Sequence, residues 1–333
     1  MQNQPTPALT MTGVEKLYTQ WQRSNKVSEL LRNLIHPQKR TIAALHDLNL
    51  TVQRGEFVAY AGANGAGKST TIKILSGILQ PTQGSLRVLG MDPAKERIAL
   101  MRRIGVLFGQ RSELWWDHPV IGSFAWKKRV WNIPEDVYAR NLAMVTELLD
   151  LGEILHTFAR ELSLGQRMRA DLGMLLLHSP EVIFLDEPTL GLDVLAKQRM
   201  IAFLRQLNQR EGTTILVTSH DMDDLEAMAR RIVLLSSGSV AFDGSFDELR
   251  RTYGGGSRLK IIGGSTPPQL AGAQLLGSQG GEHIYAIDPA VMPVHRVLGA
   301  LADYPEVLDV ELQKAPIEDV IAQIYRQWKR PRG

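Results

Sequence analysis

The run Gly62-Ala63-Asn64-Gly65-Ala66-Gly67-Lys68-Ser69-Thr70 has the spacing G-x-x-x-x-G-K-[ST], the pattern of a loop that cradles phosphate. Glycines let such a loop wind tightly enough for its backbone N–H groups to converge on phosphate oxygens, and a helix starting directly behind adds the positive end of its dipole. Lys68 then lies on the β- and γ-phosphates, and the Ser69 hydroxyl is offered to Mg²⁺. The matching carboxylate is expected at the end of a buried strand. Val182-Ile183-Phe184-Leu185-Asp186-Glu187 supplies two: Asp186 on the metal side, and Glu187 to polarise a water aimed at the γ-phosphorus. The bland alternative is a glycine-rich turn that binds nothing. It is disfavoured by the apolar strand before the loop and the helix-forming residues 71–79 after it.

These groups need an α/β scaffold to hold them. Strand-like runs at 57–61, 104–108, 182–185, 214–218 and 232–235 alternate with helix-length segments, and the continuous apolar run 182–185 is typical of a parallel strand buried on both faces. Residues 9–18 and 45–52 read as strands of a smaller antiparallel region. From 119 to 179 the strand signal gives way to helical patterns at 134–149 and 164–177, a helical insertion. Three consecutive glycines at Gly254-Gly255-Gly256 mark a linker. They divide the chain into residues 1–253 and a smaller domain, 254–333, with strands at 258–262, 283–287 and 307–312 and helices near 289–302 and 317–328.

Composition narrows the classes. The chain has 333 residues, 44% hydrophobic and 22% charged, which is ordinary globular usage. With no cysteine, disulfide frameworks, thiolate metal sites and cysteine nucleophiles are excluded, and a reducing compartment is the default. The first ten residues carry no secretory pattern. The charge-free stretch 261–281 is rich in Gly, Pro, Ser and Gln, so it is no membrane helix. The net charge of +3 is concentrated between Arg23 and Arg40, which alone carries +4. A basic charge so localised is a poor match for a nucleic-acid face, and no nucleic-acid partner is expected. Within that segment Val27, Leu30, Leu31, Leu34 and Ile35 form one helical stripe.

Leu162-Ser163-Leu164-Gly165-Gln166-Arg167, opening a helix just before the acidic strand, resembles the signature of the nucleotide-binding subunit of ATP-binding cassette (ABC) transporters, with Leu164 in place of its first glycine. Other positions match in order over residues 9–250. Gln110 is similar to the Q-loop glutamine, Gly191-Leu192-Asp193 to the D-loop and His220 to the switch histidine, while Tyr18 resembles the aromatic that stacks on adenine, with Trp21 as a rival. Taken singly, Tyr18 reads equally as a core aromatic, while the bland readings of Gln110 as a solvated loop residue and His220 as a helix cap weigh less. The resemblance implies a P-loop ABC-type α/β fold with a mixed core sheet, an antiparallel subdomain, a helical subdomain (119–179) and a small C-terminal α+β domain. It implies an ATPase using ATP and Mg²⁺, the metal held by Ser69, Asp186 and Gln110. It also implies a head-to-tail dimer, of two copies or of this chain with a related cassette. In that dimer Lys68 of one subunit and Ser163 of the other grip the same γ-phosphate, and Gly165, Gln166 and Asp193 are further nucleotide-binding residues.

No membrane span being legible, transport would run through a separate permease, with the chain on the cytoplasmic face of the membrane. The wording of 108–119, the Leu164 variant and the C-terminal appendage resemble the ABC-2 exporter group, which moves drugs, lipids or glycans. Trp115-Trp116 reads as a permease anchor or as packing of the helical insertion. The basic segment 21–40 reads as a helix at the membrane surface or near the substrate, or as a helix packed on its own domain. The rival class is an ABC ATPase of DNA repair or translation without a permease; the coiled coils, zinc ligands or second cassette typical of those are not seen. A purely regulatory nucleotide switch is disfavoured by Glu187 and His220 together.

Overall fold

The computed structural model describes residues 6–21, 39–109, 111–253, 257–288, 291–314 and 316–328. The stripe from Val27 to Ile35 and the candidate Gln110 lie outside these residues. The chain forms two compact units, Met1–Asp243 and Gly244–Gly333. The division falls after Asp243 instead of at the glycine run. Phe246 and Leu249 are buried, and their helix, Phe246–Tyr253, packs with the helix Ile317–Trp328 of the second unit.

In the first unit, strands β1 (Leu9–Trp21), β2 (Lys39–Val52), β3 (Phe57–Gly62), β4 (Gln83–Val88), β5 (Ile104–Phe108), β6 (Val182–Asp186), β7 (Thr214–Thr218), β8 (Arg231–Ser236) and β9 (Ser239–Ser245) make two sheets. The core sheet has the order β5-β6-β7-β3-β8-β9, and β5 to β6, β6 to β7, β7 to β3 and β3 to β8 all pair in parallel. Every residue of β3 and of β7 is buried, which is why both read as unbroken apolar runs. Register sets Phe108, Asp186 and Thr218 side by side, so three strands end on one line. The carboxyl edge of a parallel sheet is where an α/β fold binds ligands.

The second sheet, β2-β1-β4, is antiparallel. Its register runs from Leu9 opposite Val52 to Trp21 opposite Lys39, so the chain leaves for residues 22–38 and returns at the same rung. Helices Val120–Trp131, Glu135–Leu148 and Leu164–Leu176 form the helical insertion expected over 119–179.

The second unit has a sheet of β10 (Ser257–Ile262), β11 (Ala273–Gln279), β12 (Glu282–Ile287) and β13 (Asp309–Lys314), in the order β11-β12-β10-β13 and antiparallel throughout. Leu259, Ile261, Tyr285, Ile287, Val297 and Leu301 make its core, with the helix Val294–Leu301 on it.

Candidate active site

The cradle is built between two sheets. The strand β3 runs into the loop 62–67, and the helix Lys68–Leu75 starts at its end with Gly67 as N-cap, at φ 109°. That left-handed value favours glycine. Space demands it too, because a Cβ on Gly67 would lie 2.6 Å from Leu45 Cδ2 and 2.8 Å from the Ala44 carbonyl oxygen. Gly65 also has a positive φ, 81°, while a Cβ there would meet nothing within 4 Å, so its need is conformational. The Gly238 N–H donates to Ala66 O at 3.2 Å and Gly238 O accepts from His46 N at 2.9 Å, clamping the loop between β2 and the turn after β8.

A hydroxyl relay fixes the end of the loop from below. Tyr60 Oη, fully buried in β3, donates to Thr71 Oγ1 at 3.0 Å, and Thr71 Oγ1 donates to Gly67 O at 3.0 Å. Lys68 Nζ donates to Gly62 O at 2.7 Å, so its ammonium is folded over the loop. Burial lowers its pKa, and the nearby charges of Glu187 and Asp186 oppose that shift. The three groups therefore share one electrostatic neighbourhood. Asn64, Gly65 and Ser69 are exposed and Thr70 half-buried, as a loop open to an incoming anion requires.

Asp186 ends β6 and is held through Oδ1 by the hydroxyl of Thr218, 2.7 Å away. The next residue, Glu187, takes φ 58°, a conformation non-glycine residues adopt rarely. Its N–H is bonded to Thr218 O and Thr218 Oγ1, each at 3.1 Å. Its Oε2 accepts from His220 N at 3.1 Å and meets His220 Nδ1 at 2.8 Å. His220 is exposed and follows the end of β7. The capping reading belongs instead to its neighbour: Asp221 is the N-cap of the helix Met222–Met228 and is tied to Lys197 at 2.7 Å.

The donor set of Ser69 hydroxyl and Asp186 carboxylate is all oxygen, which fits Mg²⁺. Gly109, just before Gln110, donates its N–H to the backbone carbonyl of Asp186 at 2.8 Å, so the end of β5 is tied to the strand that carries this carboxylate.

The remaining candidates sit on other elements. Tyr18 is half-buried in β1, with Lys16 Nζ 5.4 Å from its ring centre, and pairs with Ile42, a short step along β2 from the Ala44 that abuts Gly67. Ser163 is exposed and caps the helix Leu164–Leu176 through a capping box: its Oγ accepts from Gln166 N at 3.2 Å, while Ser163 N donates to Gln166 Oε1 at 2.9 Å. The Leu164 side chain leans on the turn carrying the D-loop, where a Cβ on Gly191 would lie 2.5 Å from Leu164 Cδ2. Gly165 faces Leu192 and Ala196. Asp193 is the N-cap of Val194–Glu211, its Oδ1 accepting from Ala196 N at 2.8 Å. Trp115 and Trp116 keep 39% and 55% of their surface exposed, and Arg167 stacks 4.8 Å over the Trp116 ring.

Tyr60, Thr71 and Thr218 were not singled out from the sequence, although each is a hydroxyl set in or beside an otherwise apolar buried run, and that pattern is a usable signal.

Comparisons with known proteins bear on the family and the fold. The profile of the ABC transporter family matches residues 45–190. ABC transporter ATP-binding protein NatA of Bacillus subtilis (strain 168) is 30% identical over 212 residues, covering 64% of this chain and 86% of that protein. Methionine import ATP-binding protein MetN of Carboxydothermus hydrogenoformans is 28% identical over 221 residues, 65% of each. In fold, the chain is similar to the ATP-binding cassette MJ0796, solved as a dimer in a post-hydrolysis state with ADP and Pi. The TM-score is 0.58 at 23% identity, over 71% of this chain and 98% of that one.

Fold and site together define a P-loop ATPase. The chain belongs to the ABC transporter family as an ATP-binding subunit, and its chemistry is the hydrolysis of ATP with Mg²⁺.

Proposed function

We propose that the chain powers export across the cytoplasmic membrane through a separate ABC-2 type permease, lying on the cytoplasmic face as one half of a head-to-tail dimer. The observation that carries the catalytic part is the gathering of Lys68, Asp186, Glu187 and His220 at one edge of the core sheet. Among the described residues no helix is long and apolar enough to cross a membrane, which supports a separate permease. Relatives include an import protein. The export direction rests on the wording of 108–119, on Leu164 and on the C-terminal unit.

In this reading the N–H groups of residues 62–70 receive the phosphates, Lys68 turns from Gly62 O onto the β- and γ-oxygens, and Tyr18 or Trp21 stacks on adenine. Mg²⁺ would be held by Ser69 and Asp186 with Gln110, and supplies charge neutralisation on the phosphates. Glu187 orients a water and accepts its proton as the water oxygen bonds to the γ-phosphorus and the bond to ADP breaks. His220 holds Glu187 and supports the γ-phosphate. Ser163 Oγ already accepts from Gln166 N, and a hydroxyl has a proton to donate as well. With Gly165, Gln166 and Asp193 it closes over the γ-phosphate bound by a second copy. Trp115 and Trp116 offer exposed aromatic surface to the permease, since such residues commonly anchor interfaces.

The test is to purify the chain from its native membrane under mild detergent. A co-purifying multispan subunit, with ATPase activity stimulated in the complex and substrate moved outward, is the expected result. Stable association with ribosomes or DNA and no membrane subunit would overturn the transport reading.

A further inference from the structure

The described residues on either side of Gln110 are held by two sets of hydrogen bonds. On its amino side Gly109 is bonded to Asp186 O. On its carboxyl side the chain is held by one carboxylate, Asp171, whose Oδ1 accepts from Ser112 Oγ at 2.9 Å and from Glu113 N at 3.0 Å. Asp171 is 7% exposed and lies in the helix Leu164–Leu176, whose first turn carries the Ser163 capping box. A third element joins through Lys127, 3% exposed in the helix Val120–Trp131, whose Nζ lies 3.3 Å from Glu113 Oε2. Glu113 and Lys127 are the charged groups facing Asp171. Burial lifts the Asp171 carboxyl to about 6, while the bonds from Ser112 and the Glu113 backbone oppose the rise. A buried carboxylate is costly without donors, so a position like this is kept in place by the groups it holds.

We propose that Asp171 is a positioning residue that locks the segment following Gln110 onto the helix bearing Ser163, so that the loop serving this chain's own nucleotide and the helix tip offered to a second copy's nucleotide move as one body. It touches neither nucleotide nor metal; it acts through the backbone of 111–114. The inference rests on the functional reading above, in which Gln110 helps hold Mg²⁺ on this chain's own nucleotide and Ser163 closes over the γ-phosphate bound by a second copy.

The experiment uses the full chain with Asp171→Ala, Asp171→Asn and Ser112→Ala, reading amide exchange, nucleotide affinity and steady-state kinetics. Asp171→Ala is expected to speed exchange of the Glu113 amide by about tenfold while leaving the Lys68–Leu75 helix unchanged. It should also lower kcat about tenfold, with nucleotide Kd and KM within about twofold, because the cradle is untouched. Asp171→Asn keeps an acceptor oxygen and restores most of kcat. Ser112→Ala, which leaves the carboxylate in place, lowers kcat by about threefold and serves if Asp171→Ala does not fold. Unchanged Glu113 exchange, a Kd that worsens in step with kcat, or an Asn variant as poor as Ala would each overturn the proposal. A wild-type chain that hydrolyses no ATP would sink the functional reading instead, and the exchange measurement would still decide the role of Asp171.

Discussion

At Glu187 a single charge separates binding from turnover. Its carboxylate is anchored by His220 and sits where a left-handed backbone aims it, whereas the cradle is made by other residues. Glu187→Gln keeps the shape and loses the proton acceptor, so kcat should fall by about 10²-fold or more with ATP affinity preserved; unchanged turnover would remove Glu187 from the role. Lys68→Ala acts on the other term. The ammonium that both carboxylates already sense is gone, and nucleotide titration should show affinity weakened by about tenfold or more. Thr218 tests the geometry between them. Its hydroxyl donates to Asp186 and accepts from the Glu187 N–H, so Thr218→Val, nearly equal in shape, should cost about 1 kcal/mol of stability and lower kcat more than it raises KM. A variant with wild-type kcat would show that the two carboxylates are placed without it.

The elements were legible to different depths, for physical reasons. Buried parallel strands such as β6 and β7 announce themselves because both faces must be apolar, and the cradle because only glycine suits Gly65 and Gly67. β11 has no strand signal: it is almost wholly exposed, at a sheet edge, and its run Ala-Gln-Leu-Leu-Gly-Ser-Gln has no apolar-polar alternation to read. The glycine run drew the domain division to Tyr253, but packing of Phe246 and Leu249 carries that helix with the second unit. A hydrogen bond between separate elements, such as Ser112 in a loop to Asp171 in a helix, leaves no local signal of which groups will meet. The same logic yields a prediction at the loop. Gly67→Ala places a methyl within 2.6 Å of Leu45 in a backbone conformation alanine avoids. It should lower stability by about 2 kcal/mol in denaturant titration and abolish nucleotide binding, whereas Gly65→Ala, with open space, should fold.

For the whole molecule, Trp21 pairs with Lys39, so the β1–β2 register is set outside residues 22–38 and should survive their removal. Replacing them by a two-residue turn should leave ATPase activity of the isolated chain within about twofold, since hairpin closure is short-range. If the basic segment faces lipid or substrate headgroups, transport in the full complex should fall; undiminished transport would discard that role. The larger claim is that the site is completed by a second copy, Lys68 of one chain and Ser163 of the other on the same γ-phosphate. Mixing two inactive variants, Lys68→Ala and Ser163→Arg, tests it most directly. In a symmetric dimer the mixed pair contains one site built wholly from intact halves, so an equimolar mixture should recover about a quarter of the wild-type ATPase rate. A mixture as inactive as either variant alone would mean that each chain hydrolyses ATP within its own boundaries, and would contradict the shared site.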